Sequence, residues 1–119
     1  MAVVHQPVSG DRTLLATDVT FADGLIRQGL GLMFSPPIAS GEAMVFRFPD
    51  ADVRHVHTWF VRATIDVVWV ERERVTEVAT LPPWSLGRRA TADTVVELRA
   101  GAADGVAPGD VVRIQPASD

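Results

Sequence analysis

The stretch His55–Val70, with the sequence HVHTWFVRATIDVVWV, decides the fold of this chain. It joins a dense apolar run to His, Arg and Asp side chains that lie close together in the sequence. Both faces of Val67–Val70 are apolar, which is typical of a strand buried between two layers rather than a half-exposed one. The polar residues that precede this strand, between His57 and Asp66, are therefore the first candidates for a functional site.

The bulk composition indicates one folded domain. Of the 119 residues, 47% are hydrophobic and 22% are charged, which provides enough apolar surface for a core. We therefore predict a single domain over residues 1–119, with a core of about residues 12–114 and loose termini. The formal net charge of −4 argues against a nucleic-acid-binding protein, because such proteins normally carry a basic face.

Several other classes are excluded by what the sequence lacks. It contains no cysteine, which excludes disulfides, cysteine-ligated zinc and thiol catalysis. The N-terminal residues lack the basic start and apolar core of a signal peptide, and no apolar run reaches the roughly 20 residues of a membrane span. We therefore expect a cytoplasmic protein with no membrane partner. No nucleotide-binding or nucleophile motif is complete, so we predict no cofactor.

Alternating apolar and polar residues predict about seven short strands, separated by turn signals. The Thr20-x-x-Asp23 pattern resembles a capping box, and apolar residues at helical spacing predict one short helix over about residues 21–30. The predicted fold is mainly β: a compact sandwich or barrel-like (jelly-roll-like) sheet with this helix packed on it. The clearest strands are Arg12–Thr20, Ala43–Phe48, Val67–Val70, Val75–Leu81, Thr94–Leu98 and Val111–Ile114.

Three connections between these strands have distinct compositions. Pro49–Asp52 is predicted as a turn, and Ser85–Thr91 as a polar connection. Glu71–Arg74 contains neither Gly nor Asn, the residues that a tight type I′ turn favours. We therefore predict a longer loop there, built on a type I turn.

Two histidines lie two residues apart in the central stretch. His55 and His57 would project from the same face of a strand, and Asp66 could add a carboxylate to a metal site there. No third ligand lies at a diagnostic spacing. We therefore interpret one imidazole as hydrogen-bonded in the sheet and the other as solvated, and we assign no metal site.

Arg62 and Asp66 share one face of an unbroken strand. The structural interpretation of this pair is an ion pair at a sheet edge, because buried charges need partners whatever their function. The functional interpretation is a guanidinium, held by a carboxylate, that presents its other donors to an anionic ligand. We favour the structural role.

Trp84 follows Pro82-Pro83 and precedes Arg88-Arg89. It could line a surface cleft, since an aromatic wall with a few polar groups suits sugars and other small ligands. Packing of the indole against its own loop is an equally good interpretation.

Six motifs follow one another along the chain: Arg27–Met33 (RQGLGLM), Glu42–Phe48 (EAMVFRF), His57–Val70, Leu81–Trp84 (LPPW), Val95–Gly101 (VVELRAG) and Pro108–Val112 (PGDVV). Their order resembles that of the domain of unknown function 192 family. The resemblance covers about residues 12–114 and implies a β-rich barrel-like or jelly-roll-like sandwich with one helix, and no established activity. His57, Arg62 and Asp66 match, whereas Val61–Thr64 replaces the Met-Arg-Phe-Pro of many relatives and Glu71–Arg74 lacks their Asp-Gly.

Three functions fit these residues. The leading hypothesis is a non-enzymatic binding or accessory domain that presents His57, Arg62, Asp66 and Trp84 around a shallow pocket for a small anionic or polyhydroxylated ligand. The second is a hydrolase in which Asp66 orients His57 as the base. The third is a protein-interaction module that uses a sheet edge or the helix face, which a large exposed apolar patch would favour.

Overall fold

One eight-stranded sheet forms the framework of the protein. The computed structural model describes residues 1–22, 37–58 and 63–116, and these contain no helix. Strand β3 runs parallel to β4, and the other paired strands are antiparallel, in the order β2-β1-β8-β6-β5-β7-β4-β3. The strands are β1 (Ala2–Gln6), β2 (Thr13–Ala16), β3 (Asp18–Phe21), β4 (Glu42–Val56), β5 (Ile65–Glu71), β6 (Arg74–Leu81), β7 (Arg88–Arg99) and β8 (Val111–Gln115).

Buried apolar side chains cover both faces of this sheet. The face shared by Val68 and Val70, which we call the Val68 face, also carries Val3, Val45, Val96, Leu98 and Val112. The opposite face, which we call the Trp69 face, carries Phe46, Ile65, Val67, Ala79, Leu81 and Val95. Each residue of Val67–Val70 is at most 2% exposed. The prediction that this segment is buried between two layers is therefore confirmed.

Strands β4 and β7 form a long ribbon that folds back over the Trp69 face. Their pairing shifts register between Arg47 and Asp52, which divides the ribbon into an inner and an outer half. The outer half lies over β5, because the indole Nε1 of Trp69 donates to the carbonyl oxygen of Arg54 at 2.9 Å. Residues of one continuous sheet therefore lie on both sides of Trp69.

The sheet is open, with β2 and β3 at its two edges. The mainly β composition is confirmed, but the barrel-like closure predicted from the sequence is wrong. Alternation along a strand shows which side chains share a face, whereas the pairing of strands depends on long-range contacts that alternation does not encode. Pro49–Asp52, predicted as a turn, lies inside β4 at the register shift, and much of Ser85–Thr91 belongs to β7.

The N-terminal half shows further differences from prediction. The helix predicted over about residues 21–30 falls mostly on residues 23–30, outside the described residues, and Phe21 at its predicted start is the last residue of β3. The predicted strand Arg12–Thr20 divides into β2 and β3, because the amides of Thr17 and Asp18 both donate to the carbonyl oxygen of Gly41. Ala2–Gln6, outside the predicted core, is an interior strand between β2 and β8.

The β5–β6 hairpin closes with two residues. Glu71 pairs with Arg74, and the intervening Arg72 and Glu73 have φ angles of 50° and 69°. Two positive φ angles define a type I′ turn, so the predicted longer loop is wrong. The Arg72 amide donates to a carboxylate oxygen of Asp93 at 2.8 Å, which helps to hold the turn in this costly conformation.

We expect Glu73→Gly to raise the free energy of unfolding by about 1 kcal/mol, because Gly adopts this φ without the clash of a Cβ atom. Urea denaturation followed by tryptophan fluorescence measures the change. Glu73→Ala is the matched control, since it also removes the exposed contact with Arg113 but keeps the Cβ atom. Equal stability of the two variants would contradict backbone strain as the cause.

Candidate functional site

Thr58 joins the end of β4 to the loop that follows β6. Its side chain is fully buried, and its hydroxyl donates to the carbonyl oxygen of Pro82 and accepts from the amide of Ser85 at 2.8 Å. Its own amide donates to the Ser85 carbonyl at 3.2 Å, and its carbonyl accepts from the Trp84 amide at 2.9 Å. These four hydrogen bonds fix the loop 82–87 against residues 57–58.

The same loop is held against β4 a second time. The imidazole Nε2 of His55 donates to the carbonyl oxygen of Leu86 at 2.8 Å. Gly87 has a φ of 93°, and a Cβ atom at this position would lie 1.7 Å from the carbonyl oxygen of Val56. Only Gly allows this close approach of the two backbones.

These contacts bring His57 and Trp84 to the same end of the ribbon. Trp84 is 61% exposed and has a φ of 63°, a conformation that is costly for a bulky residue and is kept only where its surroundings impose it. The rings of His55 and His57 lie with centroids 6.1 Å apart, and Arg89 is the cross-strand partner of His55. We call the surface formed by His55, His57, Trp84, Leu86 and Arg89 the Trp84 surface.

Asp66 has a different role from the one considered in the leading hypothesis. It is 2% exposed and lies on the same strand face as Val68. One carboxylate oxygen accepts from the Thr80 hydroxyl at 2.8 Å, and the other accepts from the amides of Gly101 and Ala103 at 3.0 and 2.9 Å. Asp66 therefore anchors the turns at residues 100–105 and does not line the Trp84 surface.

Arg62, the fourth predicted site residue, lies outside the described residues, as does any pair that it forms with Asp66. Within residues 1–22, 37–58 and 63–116, no three His, Asp or Glu side chains are grouped so that they could hold a metal ion. His55 already uses one ring nitrogen on the Leu86 carbonyl.

Glu97 is a candidate that was not selected from the sequence. It is 5% exposed, and its Oε2 atom has no hydrogen-bond partner among the residues that the structure describes. Burial raises the pKa of this carboxyl from its ordinary 4.5 to about 8. A sequence signal for Glu97 does exist: it is an acidic residue within the apolar strand segment VVEL, where buried side chains are expected.

A second buried acid is fully bonded. Asp110 accepts from His5 Nε2 at 2.8 Å and from the amides of Val8 and Ala107 at 3.1 and 3.0 Å. Desolvation raises the pKa of Asp110, but the hydrogen bonds from His5, Ala107 and Val8 outweigh it and hold the pKa below its ordinary value. This cluster ties β1 to the turn before β8 and is a structural feature.

A cleft of about 260 Å³ opens on another side of the sheet, between the β5–β6 turn and strands β4, β7 and β8. Two of its three guanidinium groups already have partners: that of Arg113 contacts Glu73 at 3.1 Å, and that of Arg47 lies 4.5 Å from the ring centre of Phe21. These contacts make the cleft a weaker candidate than the Trp84 surface.

The model of the domain of unknown function 192 family, described as "Uncharacterized ACR", matches residues 6–114. The chain belongs to this family. The resemblance drawn from the six sequence motifs is thereby confirmed, and the family description carries no activity.

Similar proteins agree with this assignment. The chain is 33% identical over 103 residues to the UPF0127 protein PH1112 of Pyrococcus horikoshii, which covers 81% of this chain and 86% of that protein. A solved structure from Novosphingobium aromaticivorans, of unknown function, has a TM-score of 0.77 and 25% identity, and covers 95% of this chain and 84% of its own. A solved structure from Sinorhizobium meliloti, of a protein proposed as a transcription regulator, has a TM-score of 0.82 and 22% identity. The match covers 94% of this chain and 91% of that one, and it shows a shared fold. None of the described segments contains a helix long and apolar enough to cross a membrane.

Proposed function

We propose that this domain is a non-enzymatic binding domain that holds a small anionic or polyhydroxylated ligand on the Trp84 surface. The observation that carries the proposal is an exposed indole on a backbone that is held in place by hydrogen bonding. Trp84 is 61% exposed, yet its backbone is fixed in a left-handed conformation and bonded to Thr58. Strain of this kind concentrates at functional sites, and a backbone that is already ordered reduces the entropy lost on binding.

The groups around the indole suit such a ligand. An aromatic face stacks on the C–H face of a sugar ring, while neighbouring polar groups bond its hydroxyls or charged groups. His57 lies next to Thr58 in the chain, and the exposed Arg89 lies across the ribbon from His55. A guanidinium offers several donors in a planar array, which matches carboxylate and phosphate oxygens. Arg62 remains a prediction as an additional hydrogen-bond donor to the ligand.

The contacts of Asp66 weigh against the hydrolase alternative. That mechanism requires the Asp66 carboxylate to orient the His57 imidazole. Both carboxylate oxygens instead accept hydrogen bonds from Thr80 and from the turn at Gly101 and Ala103.

A protein-interaction module is the second candidate, and exposed apolar side chains favour it. Val53, Trp84 and Leu86 are 58%, 61% and 73% exposed. Val53 lies two residues before His55 on β4 and therefore on the same strand face. Binding to a partner through this patch would bury these side chains. If the partner is a second copy of the chain, the molar mass measured by light scattering should rise with protein concentration.

The test is calorimetric titration of the protein with inorganic phosphate, glucose and glucose 6-phosphate. We expect at least one probe to bind, and Trp84→Ala to weaken it about 2- to 12-fold, because stacking on an aromatic ring contributes about 0.5–1.5 kcal/mol. His57→Ala and Arg89→Ala should weaken the charged probes. Leu14→Ala is the control, since Leu14 is also an exposed apolar residue but lies on β2.

Two results would contradict the proposal. One is that none of the three probes binds the wild-type protein. The other is that Trp84→Ala binds them as well as the wild type does, with an unchanged unfolding temperature.

A further inference from the structure

The cleft of about 260 Å³ beside the β5–β6 turn, which we call the Arg72 cleft, has three guanidinium groups and two carboxylates in its lining. The guanidiniums are those of Arg47, Arg72 and Arg113, and the carboxylates are those of Glu73 and Asp93. Positive charges therefore exceed negative charges by one in the cleft, although the chain as a whole has a net charge of −4. This local excess favours an anionic ligand.

Both carboxylates of the cleft are bonded to groups of the protein itself. One oxygen of Asp93 accepts from the Arg72 amide at 2.8 Å, and the other accepts from the Thr94 hydroxyl at 2.9 Å. Oε1 of Glu73 accepts from Nε of Arg113 at 3.1 Å. The acidic groups thus hold the turn and the wall of the cleft in place.

The guanidinium groups, in contrast, keep donors that the protein does not use. Each has five N–H donors, and Arg113 uses its Nε–H on Glu73. The Arg47 guanidinium lies 4.5 Å from the ring centre of Phe21, a cation–π contact that supplies no oxygen acceptor to its N–H groups. The Arg72 guanidinium has no hydrogen-bond or ion-pair partner among the residues that the structure describes.

The turn that carries Arg72 and Glu73 is costly for these residues. Their φ angles of 50° and 69° are those that Gly and Asn adopt most readily. Gly at either position would relieve the strain but would remove a charged side chain from the cleft. Strained backbone of this kind concentrates at functional sites, which is a second reason to assign a ligand to this cleft.

The register separates the two guanidiniums that have no carboxylate partner. Arg47 pairs with Thr94 of β7, and Thr94 pairs with Val70 of β5, two residues before Arg72. Neighbouring strands lie about 4.8 Å apart, so about 10 Å separates the backbone at Arg47 from that at Val70. Donor groups that start this far apart suit a ligand with two charged groups better than one compact oxyanion.

We propose that the Arg72 cleft binds a short aliphatic dicarboxylate. One carboxylate accepts from the Arg72 guanidinium and the other from that of Arg47, because the planar fork of a guanidinium matches the two oxygens of a carboxylate. The methylene groups between them lie against the partly buried side chain of Ile114. The volume of about 260 Å³ is below the roughly 300–1,000 Å³ of sites for drug-sized ligands, which limits the ligand to a small molecule. This site is independent of the Trp84 surface.

The test compares succinate with butyrate, which has the same chain length but one carboxylate, and with inorganic phosphate. Binding to the intact protein at pH 7 is followed by the Nε–H NMR signals of Arg47 and Arg72. We expect succinate to shift both signals. Butyrate should bind at least about tenfold more weakly, because it leaves one charge-assisted pair unmade, and phosphate should also bind more weakly than succinate.

Three variants complete the test. Arg72→Ala should weaken succinate binding at least about tenfold with an unchanged unfolding temperature, because its guanidinium makes no contact that stabilises the fold. Arg99→Ala is the matched control, since Arg99 is an exposed arginine of β7 outside the cleft, and it should bind succinate as the wild type does. Trp84→Ala should also leave succinate binding unchanged.

The proposal is overturned if succinate does not bind the wild-type protein, or if Arg72→Ala binds it equally well. Equal binding of butyrate, or tighter binding of phosphate at the same signals, would also overturn it, because a second carboxylate would then contribute nothing. Loss of succinate binding in Trp84→Ala would place the ligand at the Trp84 surface instead. A failure of the sugar probes at the Trp84 surface would leave this result unaffected.

Discussion

Asp66→Ala loses about 3–5 kcal/mol of unfolding free energy, which is a large part of the stability of a domain of this size. The substitution removes the acceptor of the Thr80 hydroxyl and of two turn amides, those of Gly101 and Ala103. Of these donors, the Ala103 amide is buried and would be left without a partner, whereas the Thr80 hydroxyl and the Gly101 amide lie at exposed residues and would be hydrated. Urea denaturation followed by tryptophan fluorescence measures the loss.

Two further variants separate this effect from the loss of charge. Asp66→Asn keeps one oxygen as an acceptor but turns an amide group toward donors, so we expect an intermediate loss of about 2 kcal/mol. Asp104→Ala, in the same turns but exposed, should change stability by less than about 0.5 kcal/mol. If Asp66→Ala kept wild-type stability and lost ligand binding instead, Asp66 would belong to the binding site after all.

Glu97 makes the stability of the wild-type protein fall as the pH rises from about 4.5 to about 8. In the unfolded chain this carboxyl ionises near pH 4.5, whereas in the folded protein it keeps its proton up to about pH 8. Between these values the folded state binds more protons than the unfolded state, so raising the pH favours unfolding. The stability is fully present below pH 4.5, and about 5 kcal/mol of it is lost once the pH exceeds 8.

Differential scanning calorimetry of the wild type and of Glu97→Gln between pH 4 and pH 10 measures this dependence. The variant has no titrating group at this position, so the difference between the two curves isolates Glu97. We expect the variant to be the more stable protein at pH 9. Asp110, whose pKa is lowered, acts in the opposite sense and below this window, because its stabilisation is lost as the pH falls below its ordinary pKa of 3.8. Parallel curves from pH 5 to pH 9 would show that Glu97 is not held protonated by the fold.

The central strands were predictable because their apolar pattern is local. Val67–Val70 has apolar residues on both faces, and only a strand covered on both sides buries them all. The length of β4 was not predictable, because Pro49–Asp52 has the composition of a turn and yet continues the strand through a change of register. The open edges at β2 and β3 depend likewise on pairings that the pattern does not specify.

The candidate site was predictable in part. The composition around Trp84 and His57 indicated a polar surface with an aromatic wall. The contacts that unite them run through Thr58, whose hydrogen bonds to a loop 24–27 residues away depend on the fold. The partners of Asp66 on the turns lie 35 and 37 residues away in the chain, so its anchoring role follows only from the fold. The type I′ turn was missed because Arg72 and Glu73 adopt φ angles that their composition disfavours.

The most direct test of the central claim, that ligand binds at the Trp84 surface while Asp66 serves the fold, is an NMR titration of the wild-type protein with glucose 6-phosphate. We expect chemical-shift changes at the Trp84 indole, the His57 ring and the Thr58 amide, with the amides of Gly101 and Ala103 unchanged. Shift changes concentrated at Gly101 and Ala103, with the Trp84 indole unaffected, would contradict this claim.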